Sequence, residues 1–276
     1  MKKILFLLLL FLFGSSFLAT APRPKKIPPK TVVLTFDDAV KTHLTVVAPL
    51  LKQLGFRATF FITQRWMDDP QYFLTWDEVA KIHKMGFEIG NHSWTHSDFG
   101  KPESGPKLGA ELEMVEKELA KVGVPKPISF AWCGNNFGPE ALAALRQRGY
   151  VVARRGMQPE IPYGEIKIGP TLKVKQHHPL LIPTTGDAYP KWTFEHFQRV
   201  LASAEPNEII VLQFHGVPDE KHPWVNTPPE MFRQYMQYLK QNGYRTMALR
   251  DVLQYYDTKQ LPNDPMLNNR CCAKTN

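Results

Sequence analysis

The feature that most restricts the fold is an alternation that begins at Thr31: short, β-branched apolar runs separated by amphipathic segments that stop at a glycine. The apolar runs predict strands at 31–36, 57–63, 87–90, 128–132, 150–153, 208–214 and 244–248. The amphipathic segments predict helices at 44–54, 75–85, 107–122, 139–148 and 228–242, each followed by a glycine (Gly55, Gly86, Gly123, Gly149, Gly243) suited to the left-handed conformation that ends a helix. Thr75-x-x-Glu78 and Thr227-x-x-Glu230 read as capping boxes. Strands alternating with helices make an α/β fold on a parallel sheet of about seven strands. The pattern fits a barrel or an open doubly wound sheet and does not separate them. A chain of 276 residues with 43% hydrophobic side chains buries a large core in either case. One stretch breaks the rhythm: 156–192 is proline-rich, carries no clear helical pattern and is long for a βα connection, which marks it as a functional loop or a local decoration.

The ends read differently. Lys2 and Lys3, an apolar run over 4–13 and the small residues up to Ala19-Thr20-Ala21 form an export signal over 1–21. Pro22 disfavours cleavage after Ala21, so retention of the segment as a membrane anchor is the alternative. Residues 22–30, rich in Pro and Lys, form a linker, 31–257 a single domain, and 258–276 a flexible tail without periodicity. Secretion, or residence in the periplasm or cell envelope, follows, with membrane contact only if the first segment is uncleaved. The net charge of +8 is spread without a block of like charges, which argues against a nucleic-acid partner. Three cysteines make no disulfide framework: Cys271 and Cys272 fall in the tail, and Cys133 reads as a small buried side chain.

Three strand ends carry chemistry. Val32-Val33-Leu34-Thr35-Phe36 runs into Asp37-Asp38, delivering two carboxylates to the end of a parallel strand where β/α enzymes gather their sites. Phe87-Glu88-Ile89-Gly90 leads into Asn91-His92-Ser93-Trp94-Thr95-His96, whose histidines, four apart, meet on one face of a helical turn as zinc-binding imidazoles do. Ile209-Ile210-Val211-Leu212-Gln213-Phe214 ends in His215, a side chain able to act as general acid or base near neutral pH. Each taken alone suits a polar turn; three together are hard to assign to coincidence.

On these motifs the chain resembles the polysaccharide deacetylases with a NodB-homology domain, carbohydrate esterase family 4, over 31–256. Thr35-Phe36-Asp37-Asp38 and Asn91-His92-Ser93-Trp94-Thr95-His96 carry the resemblance, supported by Gly55-Phe56-Arg57-Ala58-Thr59-Phe60-Phe61-Ile62. It implies a distorted (β/α) barrel and a metal-dependent hydrolase that removes acetyl groups from an N- or O-acetylated glycan. It also assigns Asp37 as catalytic base, Asp38, His92 and His96 as ligands of a divalent metal, and His215 as catalytic acid. Zinc suits the His/His/Asp set best, with cobalt or another transition metal as the alternative.

Two later motifs depart from the family. Where it has an arginine and a Pro-Tyr, this chain reads Ser129-Phe130-Ala131-Trp132-Cys133-Gly134, so the arginine that orients the base is absent, although backbone N–H groups at Cys133 and Gly134 remain available to an oxyanion. The aspartate-containing motif that tunes the acid is not identifiable; Arg154 or Arg155 after the fifth strand and Asp187 in the long loop are the candidate substitutes, with Arg155 and Asp187 taken forward. Trp94 and Trp132, inside the motif loops, are the candidates for stacking on a sugar. The competing readings are a deacylase acting on a non-sugar amide and a carbohydrate-binding protein without catalysis.

Overall fold

The computed structural model describes residues 24–271. Eight parallel strands form one curled sheet: β1 (Thr31–Phe36), β2 (Thr59–Ile62), β3 (Glu88–Asn91), β4 (Ser129–Ala131), β5 (Val152–Arg154), β6 (Gly186–Asp187), β7 (Ile210–Phe214) and β8 (Arg245–Met247). Six α-helices intervene: α1 (Ala48–Leu54), α2 (Trp76–Lys84), α3 (Leu108–Lys121), α4 (Pro139–Gln147), α5 (Phe194–Ala202) and α6 (Pro229–Gln241). The spatial order β5-β4-β3-β2-β1-β7-β6 makes a distorted barrel. Its two ends meet through the stretch that leads into β6: Ile182 N–H donates to Ala153 O at 2.9 Å on β5, and Thr185 N–H donates to Val211 O at 2.8 Å on β7. β1 is forked, pairing with β8 over Thr31–Val33 and with β2 over Thr35–Phe36, while β7 pairs with it over Val32–Phe36 on the other side.

β1 is central because nothing in it tolerates water: all six residues are buried. Phe36 stacks on Phe60 and Phe214, and Phe232 from α6 meets it edge-on. With one aromatic from each neighbouring element locked against it, the strand has one register, and that register fixes where the chain leaves the sheet. All strands being parallel, every C-terminus opens on the same end of the barrel, so Asp37, His92, Cys133, Arg154, Asp187 and His215 arrive there together.

The five glycines expected to end helices all have φ between +70° and +99°, as a left-handed cap requires. The Thr75 capping box forms, with Thr75 Oγ1 accepting from Glu78 N–H and Glu78 accepting from Thr75 N–H. The expected Thr227 box does not: α6 starts with Pro228 at its N-cap and no side-chain cap bond, and the buried Thr227 Oγ1 has no hydrogen-bond partner. Two elements escaped the sequence reading. β6 is too short for periodicity to register, and α5 lies just beyond the proline-rich stretch, opened by Thr193 accepting from His196 N–H.

The tail departs from the expectation of a flexible 258–276. Asp264 caps a short turn of helix, Pro265–Asn268, and accepts from His178 N–H. Cys271 is buried and its N–H donates to Phe137 O at 2.9 Å, so the tail to that point packs on the α4 side of the barrel. The expected export segment at 1–21 lies outside the described residues. Among those described, no helix is long and apolar enough to cross a membrane.

Candidate active site

A cavity of about 130 Å³ opens at the C-terminal end of the barrel, lined by Asp37, Asp38, His92, His96 and His215 and by residues that no local motif announced. Its central group is Asp38. The chain leaves β1 with Asp37 still tied to the sheet, its N–H donating to Phe214 O at 2.9 Å, and then turns sharply through Asp38 (φ +77°) and Ala39 (φ +54°). This left-handed turn sends the two neighbouring carboxylates in different directions.

The His92 to His96 segment is not a helical turn, contrary to the reading from its spacing. Ser93 and His96 have positive φ, and the loop is held by polar contacts instead. Asn91 Oδ1 accepts from Ser93 N–H, Ser93 Oγ accepts from His96 N–H, and the Glu111 carboxylate on α3 accepts from the N–H groups of Trp94 and Thr95. The result still brings the two imidazoles together, with ring centroids 4.8 Å apart. His92 Nδ1–H donates to Ala131 O at 2.7 Å, which leaves Nε2 as the nitrogen facing the cavity.

The donor atoms converge on Asp38. His92 Nε2 and His96 Nε2 lie 3.5 and 3.6 Å from Asp38 Oδ1, and His215 Nε2 lies 3.9 Å from Oδ2. Ligands about 2.0–2.2 Å from a tetrahedral ion sit roughly 3.4 Å from one another, so Asp38, His92 and His96 have the spacing of a ligand set. Asp38 Oδ1 is also buried with no hydrogen-bond partner, a state that is costly unless a cation compensates it. Burial by itself would raise the Asp38 carboxyl, but the imidazoles facing it, His92 first and then His96 and His215, hold it well below the usual carboxylate range. Burial pushes His96 down to about 4, leaving a neutral ring with a free lone pair, the form a metal requires. Cys133 offers a competing donor, since its sulfur lies within 4.8 Å of donor atoms on His92 and His96. The thiol, however, faces Nδ1 of His92 at 3.7 Å, the nitrogen already committed to Ala131, and donates to His92 O. The residues therefore fit a divalent cation through Asp38, His92 and His96, with Cys133 behind the ligand ring.

Asp37 occupies a separate environment. Its Oδ2 accepts from Arg154 of β5, whose guanidinium also donates to Gln213 Oε1 and Thr184 Oγ1, while Asp37 Oδ1 has no hydrogen-bond partner. Arg154 is fully buried and stands directly across the β4–β5 pairing from Ala131, within the segment where the family has its arginine. Its guanidinium thus reaches Asp37 from the strand next to that segment. Arg155, taken forward from the sequence, points elsewhere: it pairs with Glu160 at 2.7 Å and holds the start of the long loop. Asp187 is buried beside Gln213 in the β6–β7 register, accepts from Tyr189 O–H at 2.9 Å and is raised by burial, with His215 and Arg154 opposing that rise.

His215 is held from behind by His43, whose Nε2–H donates to His215 O at 3.1 Å. Gly134 lines the cavity and Cys133 does not. Of the two tryptophans expected at the cleft, Trp132 lines it but is buried, with its indole N–H tied to Leu180 O, and Trp94 stacks on Trp76 away from the cavity. Trp66, Trp224 and Tyr163 supply the aromatic walls instead. His222, also missed, points Nδ1 at Asp219 Oδ2 (3.4 Å) and Asp38 Oδ2 (3.9 Å). His222, Trp224 and Tyr163 sit in loops with no pattern of their own, so only their shared proximity to the cavity reveals them.

The profile of the family described as polysaccharide deacetylase matches residues 25–153. A chitin deacetylase from Pestalotiopsis sp is 30% identical over 97 residues, covering 35% of this chain and 30% of that protein. The match therefore spans less than a third of that relative's length. Among solved structures, a family 4 carbohydrate esterase pseudoenzyme from Bacillus anthracis superposes with a TM-score of 0.55 at 20% identity, covering 84% of this chain and 66% of that one. Bacillus subtilis PdaA, a family 4 carbohydrate esterase, gives 0.52 at 22% identity, covering 81% and 80%. These structures share the fold. The profile match, over residues 25–153, falls on the strands that lead into Asp37-Asp38 and into His92 to His96, so the likeness to the polysaccharide deacetylase family lies where the cavity is built.

Proposed function

We propose that this protein is a metal-dependent hydrolase that removes acetyl groups from an acetylated glycan and releases acetate. The observation that carries the reading is the division of labour between adjacent carboxylates: Asp38 faces two imidazoles at ligand spacing, while Asp37 is clamped by Arg154 with one oxygen left free. A divalent metal bound by Asp38, His92 and His96 would supply Lewis acidity and lower the pKa of a nearby water. Asp37 Oδ1 takes the proton of the attacking water as its oxygen bonds to the acetyl carbon. Gly134 lines the cavity, and its backbone N–H would donate to the developing oxyanion. His215 Nε2 gives a proton to the leaving nitrogen or oxygen as its bond to the acetyl carbon breaks, and acetate departs from the deacetylated sugar. His43 fixes the backbone of His215.

A binding protein without catalysis is the second reading, favoured by Ala131 in the family's arginine segment and by a pseudoenzyme among the fold relatives. Arg154 on Asp37 weighs against it. The test measures bound metal and acetate release together, over a panel of acetylated chitooligosaccharides, peptidoglycan and acetylxylan. Asp38→Asn should lose metal and activity. Asp37→Asn should keep metal and lose roughly 100- to 10,000-fold in turnover. Activity retained in both variants, or no acetate from any substrate with the metal-loaded wild type, overturns the reading. We infer further that 1–21 directs export; a cytoplasmic protein that retains Met1 would contradict this.

A further inference from the structure

The end of the barrel that holds the cavity gathers the carboxylates of Asp37, Asp38, Asp187 and Asp219, and the opposite end carries the reverse charge. Two adjoining concavities of about 550 and 500 Å³ open there, sharing Pro24, Val174, Lys175 and Tyr255. Their walls include Pro206, Asn207 and Glu208, which lead into β7, so they lie where the strands begin. Lys25, Lys26, Lys173 and Lys175 line them, all exposed, against the carboxylates of Glu208 and Asp257. Glu208 is taken by Lys173 at 3.2 Å, whereas Lys25, Lys26 and Lys175 have no ion-pair partner among the described residues. Lys30 and Arg245, exposed where β1 and β8 begin, extend the basic surface. Leu261 lines the second concavity, and Ile128 and Val151, which lead into β4 and β5, are 40% and 44% exposed at the same end.

Lysines without a carboxylate, set beside exposed aliphatic side chains, suit an anionic lipid layer, where the ammonium groups meet phosphates and the aliphatic groups leave water. An acidic glycan would satisfy the lysines but give Ile128, Val151 and Leu261 nothing to bury against. The path of the chain points the same way. Ile27 is buried in one cluster with Leu172, Ile209 and Tyr255, and Lys25 N–H donates to Gln254 O at 2.9 Å, so Pro24 is fixed to this end of the barrel. The apolar segment expected at 1–21 ends just before it in sequence, Ala21 and Pro24 being at most about 10 Å apart along an extended chain. A membrane engaged by that segment meets the basic end first, with the cavity on the far side of the barrel.

We propose that the basic end of the barrel docks on an anionic phospholipid surface and turns the cavity away from the bilayer. The docking does not depend on the deacetylase reading. The test follows amide hydrogen exchange of the full chain on vesicles of phosphatidylcholine alone and on vesicles of phosphatidylcholine with phosphatidylglycerol in equal parts. The apolar run at 4–13 is offered both surfaces, so a difference between them reports the charged face. On the anionic vesicles exchange should slow by about threefold or more at 24–27, 126–128, 150–151 and 173–176, stay unchanged at 222–225 beside the cavity, and recover at high salt. Lys25→Gln/Lys26→Gln/Lys175→Gln, which breaks no ion pair, should abolish the difference. Lys101→Gln/Lys107→Gln/Lys191→Gln, which removes the same charge from the connections that open on the cavity end, should keep it. Equal exchange on the two vesicles, protection centred on 222–225, or equal loss in both triple variants overturns the proposal. Protection by dissolved alginate that matches the anionic vesicles, Ile128 and Val151 included, gives the face to an acidic glycan and overturns it as well.

Discussion

The two walls of the cavity are built by different means. On the β1 and β3 side, chemistry sits on nearly consecutive residues, Asp37-Asp38 and His92 to His96, aimed by left-handed turns at Asp38, Ser93 and His96. On the β5 to β7 side, single residues arrive from separate elements: Arg154, Thr184, Asp187, Gln213 and His215. The difference teaches which requirements are local. Metal ligands need donor atoms fixed to within tenths of an ångström, which a short rigid loop provides, whereas an arginine that orients a carboxylate needs only to deliver its fork from any strand within reach. Neighbouring strands lie about 4.8 Å apart, so the guanidinium of Arg154 starts one strand spacing from its paired partner Ala131.

The largest effect should come from the β7 wall. His215→Ala should keep metal content near wild type and lower kcat by roughly 100- to 10,000-fold, because the leaving group loses its proton donor. A loss below about tenfold would move the acid elsewhere, with His222 the next group to test. If metal is lost as well, the contrast between a ligand wall and a proton-transfer wall fails at that position.

Arg154 sharpens the comparison. Arg154→Met leaves the Asp37 carboxylate buried without its partner, which should reduce stability by about 3–5 kcal/mol in chemical denaturation. In the folded fraction, kcat should fall while bound metal is unchanged. The double variant Ala131→Arg/Arg154→Ala moves the guanidinium to β4, where the vacated side chain opposite makes room for it. Partial recovery of kcat relative to Arg154→Ala is expected; no recovery would show that the approach from β5 is itself required.

The same division explains what the sequence made legible. The glycine-terminated helices, the Thr75 box and the central strands follow from local chemistry, and so do Asp37, Asp38, His92, His96 and His215 at strand ends. Arg154 could be named as a substitute but not told from Arg155, because the choice depends on which of two adjacent side chains points into the barrel. Trp224, Tyr163 and His222 had no local signal, since their loops are placed by packing around Val225, Tyr189 and Met157. The tail misled for a similar reason: residues 264–271 are polar in sequence and are fixed by a few specific contacts to His178, Phe137 and Glu140.

His43 joins the two walls, packed against Phe36 and Phe60 while holding His215, and burial pushes its pKa down to about 4. Above pH 6.5 it is neutral in both folded and unfolded chains and contributes no pH dependence. Between 6.5 and 4 the unfolded chain binds a proton that the folded chain refuses, so stability falls as pH falls, by about 3 kcal/mol over that window, and not further below it. His43→Gln retains an N–H donor for His215 O and removes the titration. Its unfolding free energy should therefore change less between pH 7 and pH 4.5 than wild type, by about 2–3 kcal/mol. Parallel pH curves would mean that His43 is not buried in the neutral form.

The smallest effect separates two threonines that look alike in sequence. Thr75 and Thr227 each precede a helix with glutamate three positions on, but Thr75 Oγ1 accepts from Glu78 N–H, whereas Thr227 Oγ1 is buried without a partner before a helix that begins on prolines. Thr75→Val should cost about 1 kcal/mol, because valine cannot cap and leaves the Glu78 N–H unsatisfied. Thr227→Val should be neutral or stabilising, since it replaces a buried unpaired hydroxyl with a methyl of the same shape, and it is the unmade hydrogen bond that is expensive. The contrast tests the positions of α2 and α6 directly. Equal losses in denaturant midpoint for the two variants would mean that Thr227 caps α6 in solution after all, and that the Pro228–Pro229 entry to the helix is set differently from the one described here.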